Sequence, residues 1–209
     1  RRLLAGEKLS AVIRAFCEQW QITSQVLPMS DEPVSTYIVT AEGARMPFQE
    51  YFVKLACAPV VQGFEFRGSE RAMPAPGVLA AIGEEDFVVI CPSNPWVSIA
   101  PILSITGIKE ALATKKVVAV SPIIGGKAIK GPAAKMYSEL GIEPSASAVA
   151  GQYRELLSGF VLDCLDVEQT AQIATWGITP LATQTVMSNP AERKQLAQEV
   201  LGFCIGLGG

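Results

Sequence analysis

The chain has 209 residues, a formal net charge of -3, 18% charged and 49% hydrophobic residues, which allows a sizeable core but no concentrated cationic face for nucleic acid or an anionic membrane. It contains no histidine, so Ser-His-Asp, Cys-His and His-zinc chemistry within the chain are excluded, leaving carboxylates, lysines, hydroxyls, backbone amides or a hard metal ion. Five cysteines, Cys17, Cys57, Cys91, Cys164 and Cys204, stand singly with no C-x-x-C pair, the pattern of reduced thiols in a cytoplasmic protein.

Taken in chain order, Leu9, Val12, Ile13, Phe16 and Trp20 recur at helical spacing and predict an amphipathic helix over about residues 2–20. Residues 25–29 read as a short strand, 34–40 and 45 onward as a hairpin across Glu42-Gly43, 47–54 as a short helix, 60–67 as a strand and 74–83 as a helix. Then come two apolar runs without alternation, residues 87–91 and 117–120, separated by a helix that Ser98 is expected to cap. Such runs suit strands covered on both faces, and with helix between them they predict a parallel βαβ unit. Further on, Gly131-Pro132 opens a helix to Leu140, Ser147 caps one to about residue 158, and residues 160–163, 167–176 and 178–183 follow as strand, helix and strand. Asn189-Pro190 starts the last helix, to about residue 204, and residues 206–209 are expected to fray. The fold class is therefore α/β, a Rossmann-like three-layer fold with a mainly parallel sheet. Because the chain opens at Arg1 inside a helix, it reads as a single domain over 1–209, the carboxyl-terminal two-thirds of a longer protein. No apolar run approaches the roughly twenty residues of a membrane span.

Ligands of open parallel sheets sit outside the carboxyl ends of the strands. Two loops fall there. Gly125-Gly126-Lys127-Ala128-Ile129-Lys130-Gly131 combines glycines, two lysines and the start of a helix, which suits a phosphate, although neither a Walker loop nor G-x-G-x-x-G is present. Pro92-Ser93-Asn94-Pro95 is a rigid turn with two hydrogen-bonding side chains that can read a base or a ribose or can simply turn the chain. Ser30-Asp31-Glu32 can place a carboxylate at the same crevice, and Trp96 and Tyr51 can stack on a planar ligand or fill core.

The runs Leu27-Pro28-Met29-Ser30-Asp31-Glu32-Pro33-Val34, Pro47-Phe48-Gln49-Glu50-Tyr51-Phe52-Val53, Ile90-Cys91-Pro92-Ser93-Asn94-Pro95, Ser98-Ile99-Ala100-Pro101-Ile102-Leu103 and Ser121-Pro122-Ile123-Ile124-Gly125-Gly126-Lys127 through Ala133 resemble, in the same order, the 2-phospho-L-lactate transferase family. The resemblance implies a Rossmann-like core. It also implies transfer of a phospholactyl or phosphoenolpyruvyl group from a guanosine-diphosphate-linked donor to a deazaflavin precursor, releasing GMP with Mg2+ in deazaflavin coenzyme biosynthesis. On that reading Ser93, Asn94, Gly125, Gly126, Lys127 and Lys130 lie at the nucleotide, and Ser30, Gln49, Glu50 and Tyr51 at the acceptor. Asp31 is the candidate metal ligand and catalytic carboxylate, with the main metal ligand upstream of residue 1. The family tends to have aspartate where Gln184 stands and histidine where Gln152 stands. The alternative is a nucleotide-sugar-binding regulatory protein of the related gluconeogenesis-factor family. The apolar terminal helices can supply a homodimer interface.

Overall fold

The chain opens with a single 3-10 turn, Leu3–Ala5, which Gly6 ends in the left-handed region (φ 88°), and helix α1 starts afresh at Leu9–Gln19. The continuous helix expected over residues 2–20 is thus broken at Gly6. The computed structural model describes residues 1–208; Gly209, the last residue of the tail expected to fray, lies outside the described residues. The strand expected at residues 25–29 is replaced by irregular chain that makes one bridge, Ser30 to Pro74. There the Ser30 hydroxyl accepts from the Glu32 amide (3.0 Å) and donates to its carboxylate (2.8 Å), so local bonds take the place of a ladder.

The hairpin forms as expected: β1 (Ser35–Thr40) pairs antiparallel with β2 (Arg45–Pro47) and, on its other edge, with β3 (Val61–Arg67). Between β2 and β3, Glu50–Lys54 forms a π-helical turn. After α2 (Val78–Glu84) the main sheet begins with β4 (Phe87–Ile90), followed by a π-turn over Pro95–Ile99 that runs into α3 (Ala100–Leu103), then α4 (Ile108–Leu112) and β5 (Lys116–Val120). A small hairpin, β6 (Ile123–Ile124) and β7 (Lys127–Ala128), leads to α5 (Ala133–Glu139) and α6 (Ala146–Gln152). The chain then closes with β8 (Leu157–Asp163), a 3-10 turn into α7 (Thr170–Ala174), β9 (Thr179–Thr183) and α8 (Pro190–Gly206).

Strands β4-β5-β8-β9 form one parallel sheet in that order, the α/β layering that the uninterrupted apolar runs demanded. Because side chains alternate across a strand, each run feeds two cores. Val117, Ala119, Phe160 and Leu162 pack with residues of α4, α5, α6 and α7, while Val118, Val120 and Val161 face Leu196, Val200 and Cys204 of α8. The spacing of four between those α8 residues makes a single buried stripe, and each large apolar side chain so buried stabilises the fold by about 1.5–3 kcal/mol. Gly159 permits this contact: a Cβ there would lie 2.7 Å from Phe203 and 2.8 Å from Leu207.

Two caps fall elsewhere than expected. The turn after β4 is capped by Asn94, whose Oδ1 accepts from the amides of Trp96 (3.0 Å) and Val97 (3.2 Å), so Ser98 lies inside the turn. Proline at the next position explains the choice: Asn94-Pro95 repeats the Asn189-Pro190 start of α8. Likewise Ser145, not Ser147, caps α6, accepting from the Ala148 amide at 3.0 Å. No helix among the described residues is long and apolar enough to cross a membrane.

Candidate functional site

The carboxyl ends of β4, β5 and β9 open into one cavity of about 640 Å3. From the loop after β4 come Pro92, Ser93, Asn94, Val97 and Ser98; from the end of β5, Ser121, Pro122 and Ile124; from the run into α5, Ile129, Lys130 and Gly131. Thr185, Val186 and Met187 follow β9, Arg193 projects from the first turns of α8, and Phe48 and Phe52 enter from the helical turn after β2.

The polar groups divide into those already committed and those free to act. The Ser121 hydroxyl is spent on Ile123, donating to its carbonyl at 2.8 Å. Thr185 donates its amide (2.8 Å) and hydroxyl (2.9 Å) to the buried Asp163. Burial alone would raise the Asp163 carboxyl, but the Thr185 and Leu165 amides and the Thr185 hydroxyl together hold it below the usual range. Ser93 and Ser98, by contrast, have hydroxyls that no protein group engages among the described residues. Lys130 and Arg193 form no ion pair among the described residues and no carboxylate lines the cavity, so it carries two uncompensated positive charges. Anionic ligands are the chemistry such a cleft favours.

The glycine loop after β5 is organised differently from the strand-to-helix anion loop that its composition suggests. Gly125 (φ 54°) and Gly126 (φ 75°) are the two corner residues of the β6–β7 hairpin, a type I′ geometry that requires positive φ at both positions. The Gly125 amide donates to Asp166 Oδ2 (2.9 Å), whose other oxygen accepts from Gln169 (2.9 Å). Burial pushes the Asp166 carboxyl up, an effect the Gly125 amide partly opposes. Gly125, Gly126 and Lys127 are exposed and lie outside the cavity lining; Lys130, three residues on, is inside it. Asn94 lines the cavity, but its side chain is engaged at both ends, by the cap and by Nδ2 on the Met136 sulfur (3.3 Å).

Of the other sequence candidates, none lines this cavity. Asp31 anchors α1, accepting from the Ser10 amide (2.7 Å) and hydroxyl (2.9 Å), an acid at a helix start. Ser30 is buried in its own turn, Gln49 precedes the π-turn and is exposed, and Glu50 pairs with Lys54 at 2.9 Å. Tyr51 is core, fully buried with Ile38, Val61 and Met136. Trp96 also packs inward, 4.3 Å from the Tyr137 ring. Among the described residues no three His, Cys, Asp or Glu side chains gather as a metal site. Sequence reasoning misses Arg193, Thr185, Phe48 and Phe52. The Asn189-Pro190 cap already marks a strand-to-helix junction at the same sheet end, and the spacing of four between the two phenylalanines marks one helical face.

Comparison with known proteins gives the context. The family model described as 2-phospho-L-lactate transferase CofD matches residues 2–193. A phosphoenolpyruvate transferase of Thermobifida fusca is 41% identical over 209 residues, covering 98% of this chain and 64% of that protein. A 2-phospho-L-lactate transferase of Methanosarcina mazei is 43% identical over 180 residues, covering 86% of this chain and 59% of that protein. The chain thus spans somewhat less than two-thirds of the length of these relatives. A crystal structure of the Bacillus halodurans protein BH3568, from the UPF0052 family, superposes with a TM-score of 0.68 over 96% of this chain and 68% of that one, at 15% identity, which establishes likeness of fold alone.

Proposed function

The chain belongs to the 2-phospho-L-lactate transferase CofD family, and we propose that it supplies the strand-end cleft of a transferase that moves a phospholactyl or phosphoenolpyruvyl group from a guanosine-diphosphate-linked donor to a deazaflavin acceptor. The observation that carries this reading is the cleft with Lys130 and Arg193 and no carboxylate, within the segment that matches the family. A diphosphate-linked donor brings the negative charge this cleft lacks.

In the reaction, the acceptor's terminal hydroxyl oxygen attacks the phosphorus bearing the acid. The bond between that phosphorus and the oxygen bridging to GMP breaks, GMP leaves with the electron pair, and the hydroxyl proton passes to solvent. Catalysis of this kind rests on position and on charge stabilisation, which lysine and arginine provide without histidine. Lys130 and Arg193 hold the phosphates; Ser93 and Ser98 offer hydroxyl donors from the same lining. Magnesium, which the family resemblance implies, would add cationic charge at the transferring phosphorus when bound. We place the protein in the cytoplasm on its five unpaired cysteines.

The test has two arms. GDP should raise the thermal midpoint of the protein, and incubation of the guanosine-diphosphate-linked donor with a deazaflavin acceptor should release GMP in proportion to product. Stabilisation by a uridine diphosphate sugar with no response to GDP would transfer support to the regulatory nucleotide-sugar reading.

A further inference from the structure

A second cavity, of about 240 Å3, shares no lining residue with the cleft. The turn after β4 separates the two: Ser93, Asn94, Val97 and Ser98 line the cleft, whereas Pro95 and Trp96 line this rear cavity. Phe66 of β3 and Leu103 of α3 extend its apolar wall. Trp96 is held in place there, with Phe64 stacked on it at 5.5 Å and 12° and the Tyr137 ring 4.3 Å away. Three polar groups of the lining are left over by the fold. Lys109 of α4 forms no ion pair among the described residues, and no carboxylate lines the cavity. Gln152, at the end of α6, accepts from the Tyr137 hydroxyl through Oε1 at 2.7 Å, which leaves its Nε2 without a protein acceptor among the described residues. Tyr153 is only 6% exposed, and its hydroxyl is the one buried side-chain oxygen or nitrogen without a partner among the described residues. Buried hydroxyls are ordinarily satisfied, and the chain supplies nothing to satisfy this one.

We infer that this rear cavity is a second ligand site, for a small aromatic carboxylate. Its volume suits a molecule of one ring, which the wall of Phe66, Trp96 and Leu103 takes, while Lys109 and the Gln152 amide take the carboxylate. The unspent groups, an ammonium, an amide nitrogen and a phenol, all donate hydrogen bonds, so they select a head that only accepts over an amine or an amide. Charge separates the two sites in the same way. The cleft carries two cations, which suits a diphosphate, and the rear cavity carries one, which suits a monoanion. An adjoining cavity that shares Leu103, Lys109, Gln152 and Tyr153 brings Arg154 and Glu155 together, whose charges cancel. The inference does not rest on the transferase reading.

The experiment is a ligand-observed NMR titration of benzoate, with its uncharged isostere benzamide in parallel, against the protein and its Lys109→Gln, Tyr153→Phe and Arg193→Ala variants. Lys109 is exposed, so its replacement leaves the core intact. Benzoate should bind saturably to the wild-type protein, and benzamide about five-fold more weakly or worse. Lys109→Gln should weaken benzoate by about five-fold or more, the weight of a charge-assisted bond. Tyr153→Phe should weaken it by about three-fold while the thermal midpoint stays the same or rises, because the deleted hydroxyl has no partner in the empty fold. Arg193→Ala should leave benzoate within about two-fold. Absence of saturable benzoate binding overturns the inference, as does equal binding of benzamide. Benzoate lost in Arg193→Ala but kept in Lys109→Gln would put the carboxylate in the cleft, which also overturns it and leaves the transferase reading as it stands.

Discussion

The loops that follow β4 and β5 occupy equivalent places at neighbouring strand ends, yet they use their polar groups in different ways. After β4, Asn94 spends its side chain on capping the next turn, and that turn presents Ser93, Val97 and Ser98 to the cavity. After β5, the glycines turn a hairpin, and Asp166 takes the amide of the first of them. The first amide of the Gly-Gly-Lys corner is thus already spent within the fold. Here the cation that enters the cleft is Lys130, beyond the hairpin, with Arg193 arriving from α8.

If Asp166 fastens the second loop, its removal should lower stability more than any change to the first loop. Asp166→Ala strands the Gly125 amide and the Gln169 side chain, and should cost about 1–3 kcal/mol in urea unfolding. For the first loop, Asn94→Ala should cost about 1 kcal/mol, the ordinary value of an N-cap, and should also lower turnover because the cleft wall is loosened. A stable Asn94→Ala protein with normal turnover would show that the capped turn does not shape the site.

The pH dependence sharpens the contrast at the third strand end, where Asp163 and Asp166 lie three residues apart and shift in opposite directions. The Asp163 carboxyl is lowered in the fold, so its stabilisation is complete above the unfolded value of about 3.9 and is lost as pH falls through the lower folded value. That of Asp166 is raised, so the fold disfavours its ionised form, and stability declines as pH rises from about 3.9 through the folded value. Stability measured against pH should therefore keep its acid loss in Asp166→Asn and lose part of it in Asp163→Asn; identical profiles for the two variants would contradict the assignment. Gly126→Ala should cost an amount comparable to Asn94→Ala, about 1 kcal/mol for placing a Cβ at φ 75°, but with nucleotide affinity unchanged.

Much of this architecture was legible in the residues because the relevant signals are local. Val117-Val118-Ala119-Val120 and Phe160-Val161-Leu162 are apolar without alternation, and only a sheet covered on both faces uses such runs. Asn189-Pro190 fixed the start of α8 for the same reason. The caps expected at Ser98 and Ser147 fall on neighbours instead, because several cap-capable residues stand close together there and the following backbone decides among them. The site was less legible. Whether Gly125 offers its amide to a ligand depends on Asp166, forty-one positions away, and whether Tyr51 or Phe52 faces the cleft depends on which side of the π-turn packs against β1. Asp31 looked free in the sequence because its partner, Ser10, lies twenty-one residues earlier.

The central claim, that Lys130 and Arg193 rather than the Gly-Gly-Lys corner make the anion site, is tested most directly by GDP affinity in three single variants. Lys130→Ala and Arg193→Ala should each weaken GDP by about ten-fold or more, the usual weight of a charge-assisted bond to phosphate, and Lys127→Ala should stay within about two-fold. A ten-fold loss in Lys127→Ala, with Lys130→Ala and Arg193→Ala near wild type, would contradict the account and return the phosphate to the hairpin.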